Sequence, residues 1–221
     1  MNARKALLLG ASGLIGGHCL TLLLQDETYQ EVLVLVRKPL ALTHPKLTQH
    51  VVDFDRLSDH AAVFQAEDVF CCLGTTIKKA GSQAAFRKVD FTYAYEAAQL
   101  AVAQGIRQFL LVSSLGADAN SSVFYSRVKG ELEIAVTSLP FQAISIFQPS
   151  LLLGERAEFR WGERIAEPVA KALSFLLLGP LRKYRAIEAR TVAAAMIRVA
   201  KSAVQGVTVY ESDRIQKIGQ D

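Results

Sequence analysis

The sequence has few of the features that mark secreted, metal-binding or membrane-spanning chains. Cys19, Cys71 and Cys72 are its three cysteines among 221 residues. They are too few for a disulfide framework, and their spacing fits no zinc site. The four histidines are dispersed without the spacing of metal ligands. The apolar segment 170–178 ends at a Gly-Pro pair, well short of the ~20 apolar residues that cross a bilayer.

Concentrated charge is also missing. The formal net charge is +4, but the basic residues are scattered, whereas a nucleic-acid-binding protein usually carries a basic stripe. Hydrophobic residues make up 51% of the chain, which is enough for a substantial core. The N-terminal MNARKALLLGASG is interpreted as a first strand rather than a signal peptide. Together with the free thiols, this predicts a cytoplasmic protein that binds no nucleic acid and has no integral membrane segment.

Short apolar runs alternate with longer amphipathic stretches along the chain, which is typical of βαβ units around a parallel sheet. The runs predict strands at 5–10, 31–36, 48–52, 68–73, 107–113, 141–147 and 207–211. The amphipathic stretches predict helices at 14–24, 82–104, 125–138, 160–178 and 188–202. The expected fold is α/β, with a doubly wound parallel sheet covered by helices on both faces.

The composition changes after Gly154, where the chain becomes mostly helical with Gly-Pro punctuation. We therefore expect residues 1–154 to form a nucleotide-binding core. Residues 155–221 are expected to form a small, mostly helical lobe, integrated with that core, for substrate or interactions. Such a lobe would lie over the carboxyl edge of the sheet, where ligands bind in folds of this kind.

A glycine-rich run, GASGLIG at 10–16, lies between the first strand and the first helix. Gly10 would permit a tight turn, Gly13 would let the backbone approach a pyrophosphate, and Gly16 would let helix and strand pack closely. The amino end of the following helix offers N–H groups and a partial positive charge to phosphates. The run predicts dinucleotide binding, the alternative being a tight turn without a ligand.

The end of the second strand bears on the choice of cofactor. An acidic residue at that point suits the ribose 2′-hydroxyl of NAD, whereas a basic residue suits the 2′-phosphate of NADP. Here Arg37 and Lys38 follow the strand, so NADP is predicted over NAD. Two solvated surface cations are the alternative interpretation.

The ends of the third and fourth strands should lie beside the same ligand. Asp53 and Phe54 follow the third strand, and Asp53 could accept a hydrogen bond from an adenine amino group. Leu73, Gly74 and Thr75 follow the fourth, where Gly74 would allow a close backbone approach. Each of these is also an ordinary turn residue, which is the alternative.

A serine, a tyrosine and a lysine form a candidate catalytic set. Ser113 and Ser114 end the fifth strand, and Tyr125 and Lys129 stand one helical turn apart on the next helix. An ammonium beside a phenol favours the phenolate, so such a tyrosine can exchange a proton near neutral pH. A serine hydroxyl can orient a substrate oxygen, and the lysine can also bind the nicotinamide ribose.

Four segments together resemble the atypical or extended short-chain dehydrogenase/reductases, which have a Rossmann fold. They are GASGLIG, VDFTYAYEAAQLA, FLLVSSLGAD and YSRVKGELE, and the resemblance covers about the first 155 residues. The CCLGTT, SLGAD and VKGE stretches are most similar to the branch of the HIV Tat-interacting oxidoreductase-like protein, an NADPH binder.

That resemblance implies a catalytic triad of Ser114, Tyr125 and Lys129. The cofactor positions that it implies are Gly10, Ser12, Gly13, Leu14, Ile15, Arg37 and Lys38, with Pro149, Ser150 and Leu151 in the loop that flanks the nicotinamide. Two positions depart from the family pattern. Asp90 stands where the complete enzymes often have an asparagine, and Gln148 stands where an arginine commonly precedes the proline.

Three functions fit these features. The first is NADPH-dependent reduction of a small carbonyl compound by the serine, tyrosine and lysine. The second is a regulator that senses NADPH and acts on a protein partner with little or no catalysis. The third is a nucleotide-sugar epimerase or dehydratase, which usually requires a larger substrate lobe than the residues after Gly154 provide. Family members often pair as homodimers, so a homodimer is also an expectation.

Overall fold

The computed structural model describes residues 4–153, 179–202 and 204–220. A seven-stranded parallel sheet with the order β3-β2-β1-β4-β5-β6-β9 forms its centre, and β7 and β8 pair separately. The strands are β1 (Arg4–Leu9), β2 (Tyr29–Val36), β3 (Leu47–Val51), β4 (Asp68–Cys71), β5 (Gln108–Val112), β6 (Ala143–Gln148), β7 (Leu152–Leu153), β8 (Ile187–Glu188) and β9 (Gly206–Glu211). The predicted doubly wound α/β fold is confirmed, with helices in the C-terminal portion.

Helices flank both faces of this sheet. They are α1 (Leu14–Gln25), α2 (Ile77–Ala80), α3 (Gln83–Arg87), α4 (Tyr93–Ala103), α5 (Phe124–Thr137), α6 (Ala189–Lys201) and α7 (Ser212–Gln220), with a π-helical turn at Lys88–Thr92 and 3-10 segments at Phe54–Val63 and Gly179–Tyr184. None of the helices in the described parts of the chain is long and apolar enough to cross a membrane.

The apolar runs of the central strands are explained by burial on both faces. Successive residues of a strand point to opposite faces. Ala6 and Leu8 therefore pack in the cluster that α1 and α6 cover, whereas Leu7 and Leu9 pack in the cluster that α4 and α5 cover. Both faces of β1 are therefore apolar from Ala6 to Leu9, and the sequence of the strand does not alternate between polar and apolar residues there.

The predicted elements agree with the structure except at their ends and in one helix. The fourth strand ends at Cys71, two residues earlier than predicted, because the chain turns there into a loop. The helix predicted at 82–104 is divided into α3, the π turn and α4, which a helical period of 3.6 residues cannot indicate. The helix predicted at 160–178 and the boundary at residue 154 fall on or beside residues outside the described ranges.

The described C-terminal residues complete the sheet. The strand β9 pairs in parallel with β6 along its whole length, from Gly206 beside Ala143 to Glu211 beside Gln148. The helix α6 buries a row of apolar side chains in the same cluster as α1. One face of the central sheet is therefore covered by helices from both the N-terminal and the C-terminal part of the chain.

A buried polar cluster joins the amino ends of the strands, opposite the glycine-rich loop. The Asp68 carboxylate forms an ion pair with Arg4 and accepts a hydrogen bond of 2.7 Å from the Tyr29 hydroxyl. Burial raises the pKa of Asp68 to about 6, although Tyr29 and Arg4 act in the opposite direction. The cluster thus ties β1, β2 and β4 together at their first residues.

Candidate dinucleotide site

The glycine-rich loop between β1 and α1 is too tight for side chains at two positions. Gly10 has a φ of +84°, and a Cβ there would lie 2.4 Å from the Cys72 carbonyl oxygen. A Cβ at Gly16 would lie 2.1 Å from the Gly10 carbonyl oxygen. Both positions need glycine, because a side chain at Gly10 would meet the backbone just after β4, and one at Gly16, in α1, would meet the backbone of the loop.

The amino end of α1 opens from this loop without a competing anion. Gly13 is the N-cap residue, no side chain caps the helix, and its first turn has no acidic residue. The N–H groups and the positive end of the helix dipole at this point can therefore receive a phosphate. This fits the role predicted for Gly13 and for the helix that begins at Leu14.

A cleft of about 870 Å³ lies against the loop along the carboxyl edge of the sheet. Nine of the predicted cofactor residues line it, and they are Gly10, Ser12, Gly13, Arg37, Asp53, Phe54, Leu73, Gly74 and Thr75. They come from the ends of β1, β2, β3 and β4, so the parallel strands bring them together as expected.

Arg37 is exposed at the end of β2, where it lines the cleft. It has no carboxylate partner among the described residues. Its guanidinium can therefore offer two parallel N–H groups to an anion. Lys38 is exposed beside it but does not line the cleft.

The opposite wall of the cleft contains three side chains that sequence reasoning missed. Lys88 Nζ lies 2.7 Å from Asp55 Oδ1, and the Tyr93 ring packs on Phe54 with centroids 5.4 Å apart. Asp53, which was predicted to contact adenine, accepts a hydrogen bond of 2.9 Å from the Asp55 N–H. Asp55 comes from the 3-10 segment, Lys88 from the π turn and Tyr93 from α4, and the sequence did not connect these elements.

The other predicted cofactor residues lie outside the lining of this cleft. Ile15 is a buried residue of α1, and Leu151 is an exposed residue in the loop after β6. The Ser150 hydroxyl contacts that of Ser212 at 3.0 Å and also donates to the Arg185 carbonyl. The carbonyl of Pro149 accepts from the Leu115 N–H at 2.9 Å, which fixes the loop after β6 against the loop after β5.

Lys129 is buried in an ion pair. Its Nζ lies 2.8 Å from Asp90 Oδ1, and the two side chains are 5% and 1% exposed. Burial alone would lower the pKa of Lys129, but the Asp90 carboxylate and the Tyr125 oxygen outweigh that effect and raise it. The lysine is therefore a cation, and Asp90, the departure from the family pattern, is its counter-ion.

Tyr125 stands one turn before Lys129 on α5 and is half-buried. Its ring packs on Phe86 of α3, with centroids 5.6 Å apart. The Ser114 hydroxyl makes a long contact of 3.4 Å with the Leu115 carbonyl oxygen. None of the three triad residues is part of the cleft lining.

A second carboxylate lies behind the triad. Glu133 accepts hydrogen bonds from the Ser113 hydroxyl and from Gln148, whose Nε2 is 3.0 Å from both carboxylate oxygens. Burial raises the pKa of Glu133, although these two hydrogen bonds and the Lys129 charge act against the shift. Gln148, the other departure from the family pattern, thus bonds to α5. Glu133 itself was missed, since its spacing of one turn from Lys129 gave no functional signal.

A family model described as NAD(P)H-binding matches residues 10–135. The match begins in the glycine-rich loop and ends in α5, so it includes the cleft, Tyr125 and Lys129. The chain belongs to this NAD(P)H-binding family. Nucleotide binding, predicted from the loop, is the property that the family description states.

Two relatives extend the comparison. The protein HTATIP2 of Rattus norvegicus is 42% identical over 170 residues, which are 75% of this chain and 70% of that protein. The protein fmp52 of Aspergillus clavatus is 32% identical over 215 residues, 94% of this chain and 92% of the relative. The resemblance to the Tat-interacting oxidoreductase-like branch of the short-chain dehydrogenase/reductases is therefore confirmed.

The predicted cytoplasmic location is wrong. Six fungal relatives, all called FMP52 or a variant of it, are named as mitochondrial proteins. Free cysteines exclude only an oxidising environment, so they could not distinguish one reducing compartment from another.

The fold also matches solved structures. The UDP-glucuronic acid 4-epimerase of Bacillus cereus, in complex with UDP-glucuronic acid and NAD, superposes with a TM-score of 0.69 at 12% identity. The alignment covers 94% of this chain and 77% of the epimerase. At this identity the likeness establishes the Rossmann-like fold alone.

Proposed function

We propose that the protein binds NADP(H) in the cleft and reduces a small carbonyl compound. The observation that carries the proposal is the joining of three features in one cleft: the tight glycine-rich loop, the amino end of α1, whose N-cap Gly13 has no side chain, and Arg37, which has no carboxylate partner in the described parts of the chain. The loop and helix would receive the pyrophosphate, and Arg37 would bind the 2′-phosphate.

The reduction would use the side chains of α5 and of the loop after β5. When bound, NADPH supplies the hydride that the carbonyl carbon accepts, and is oxidised to NADP⁺. Ser114 would orient the carbonyl oxygen, and Tyr125 would donate its proton to that oxygen, giving an alcohol. Lys129 would stabilise the resulting phenolate, which regains a proton from solvent.

The residue at the end of β2 supports the choice of cofactor. NADP is favoured over NAD by Arg37, because a guanidinium matches a phosphate better than a ribose hydroxyl.

Calorimetric titration with NADPH and NADH tests the cofactor part of the proposal. We expect wild-type protein to prefer NADPH, and Arg37→Ala to weaken NADPH binding on the order of 10- to 100-fold, the loss of a charge-assisted hydrogen bond. Binding of NADH should be nearly unchanged. Arg107→Ala, at an exposed site before β5 on the opposite edge of the sheet, is the matched control. Absence of heat with both nucleotides would overturn the proposal.

The same preparations test turnover. Tyr125→Phe should bind NADPH as wild type does but lose reduction of a panel of small aldehydes and ketones. A regulator that senses NADPH is the second candidate, and one observation favours it: none of the triad residues lines the cleft. Tight NADPH binding by wild type with no oxidation of the cofactor by any carbonyl compound would support that candidate.

A further inference from the structure

The ion pair between Asp90 and Lys129 is the least expected feature beside the cleft. Both side chains are almost fully buried, and among the residues that the structure describes Asp90 Oδ1 contacts only Lys129 Nζ, at 2.8 Å. Asp90 Oδ2 accepts a hydrogen bond of 2.8 Å from the Thr75 N–H, in the cleft wall. One carboxylate thus contacts both the cleft and the lysine of the triad.

The helix is distorted at the residue that makes this contact. Asp90 lies at the centre of the π turn Lys88–Thr92, where the Tyr93 N–H bonds to the Lys88 carbonyl oxygen. A π turn is rare, and it is frequently found at functional sites. The helix is therefore distorted at the buried residue that contacts Lys129, and not at an exposed residue.

We infer that Asp90 is a positioning residue that holds Lys129 and offsets its charge, which weakens the effect of the ammonium on the Tyr125 phenol. The inference rests on the proposed function, because it concerns the direction in which the same site works. A site that reduces carbonyl compounds needs the phenol, whereas a site that oxidises alcohols needs the phenolate.

The charges around Lys129 support this assignment. Asp90 faces it from the π turn, Cys71 from β4, and Tyr125 and Glu133 from its own helix. Burial raises the pKa of the Cys71 thiol to about 12, so Cys71 brings no charge near neutral pH. The carboxylate in direct contact with the ammonium is that of Asp90.

An ammonium acts on a nearby phenol through its electric field. A carboxylate 2.8 Å from the same ammonium turns an isolated positive charge into a dipole, whose field is weaker at the phenol. Phe86 of α3 covers the Tyr125 ring, so the field is poorly screened by water on that side. Removing the negative charge of Asp90 should therefore favour the phenolate.

Absorbance of the tyrosinate ion during a pH titration tests the inference without a substrate. The chain has six tyrosines, so each spectrum is corrected by subtracting that of the same protein with Tyr125→Phe. We expect the Tyr125 phenolate of Asp90→Asn to appear about one pH unit lower than in wild type, the effect of an unpaired ammonium nearby. Asp90→Glu, which keeps the charge, should titrate close to wild type.

Two controls separate this effect from general damage. Asp68→Asn removes another buried, ion-paired carboxylate, but at the amino ends of the strands, and it should leave the Tyr125 titration unchanged. If Asp90→Asn does not fold, the double variant Asp90→Asn with Lys129→Met removes both charges together. Its phenolate should then appear within a few tenths of a pH unit of wild type, because a compensated pair leaves a small net field.

An unshifted titration in folded Asp90→Asn would overturn the inference. So would a rise of one pH unit or more in the double variant, since it would mean that Lys129 acts at full strength in wild type. Failure of the wild-type protein to bind NADPH would instead overturn the proposed function, and the tyrosine titration would be unaffected by that result.

Discussion

The Glu133 carboxyl group accepts hydrogen bonds from the ends of two strands, β5 and β6. Its oxygens receive the Ser113 hydroxyl from the end of β5 and the Gln148 amide from the end of β6. Ser113 precedes the predicted catalytic Ser114, and Gln148 precedes the loop with Pro149. A single side chain on α5 thereby fixes the loop that carries Ser114 and the loop that carries Pro149.

Replacement of Glu133 by glutamine should destabilise the protein. A glutamine would place an NH2 group where a carboxylate oxygen of Glu133 now accepts from Gln148 Nε2, so two donors would face each other. The lost hydrogen bond should cost about 1–3 kcal/mol in the free energy of unfolding. Chemical denaturation of Glu133→Gln measures this cost. Glu27→Gln, at an exposed turn after α1, serves as the control and should change stability little. Equal stability of Glu133→Gln and wild type would mean that the two donors find other acceptors.

At the scale of elements, α5 is held unusually close to the preceding loop. A Cβ at Gly130 would lie 2.2 Å from the Ala119 nitrogen and 2.7 Å from Asp118 Cα. Backbone atoms cannot move aside as a flexible side chain can. Gly130 thus sets the distance between the loop that follows Ser114 and the helix that carries Lys129.

Alanine should therefore be harmful at Gly130, although it normally favours a helix. At an open helical position the same change stabilises by about 0.5–1 kcal/mol. In Gly130→Ala, the clash should instead cost about 1–3 kcal/mol of stability. Gly17→Ala is the matched control in α1, because its Cβ would meet the Ala11 oxygen at an ordinary 3.6 Å. Thermal denaturation of both variants measures the contrast, and a gain in stability at both positions would contradict the tight packing.

Elements that depend on local pattern were predictable, and contacts between distant elements were not. The glycine-rich loop and the strand ends follow from residues close in sequence, which is why nine of the residues predicted to bind a cofactor line one cleft. The ion pair of Asp90 with Lys129 joins the π turn to α5. The family pattern often has an asparagine at the position of Asp90, so it did not predict a charged partner for the lysine. The π turn itself departs from the helical period on which the prediction relied.

At the scale of the whole molecule, lowering the pH should raise the stability of wild type more than that of Asp68→Asn. The folded-state pKa of Asp68 is about 6, above the value of about 3.9 for an unfolded chain. As the pH falls between these values, the folded protein takes up the proton first, so its stability rises. The free energy of unfolding of wild type should gain on the order of 1–3 kcal/mol over that of Asp68→Asn between about pH 7 and pH 4.

Urea denaturation at a series of pH values checks this expectation. Asp59→Asn, which removes an exposed carboxylate paired with Arg56, should follow the wild-type curve closely. Parallel curves for wild type and Asp68→Asn would contradict a protonation of Asp68 in the folded state. The test reports on the amino edge of the sheet, remote from the cleft.

The pairing of β9 with β6 and the packing of α6 against α1 make the C-terminal residues part of the core. Without them, β6 would have an open hydrogen-bonding edge, and the apolar side of α1 would lack the cover that α6 provides. A chain truncated before α6 is therefore expected to expose the kind of surface from which aggregation starts.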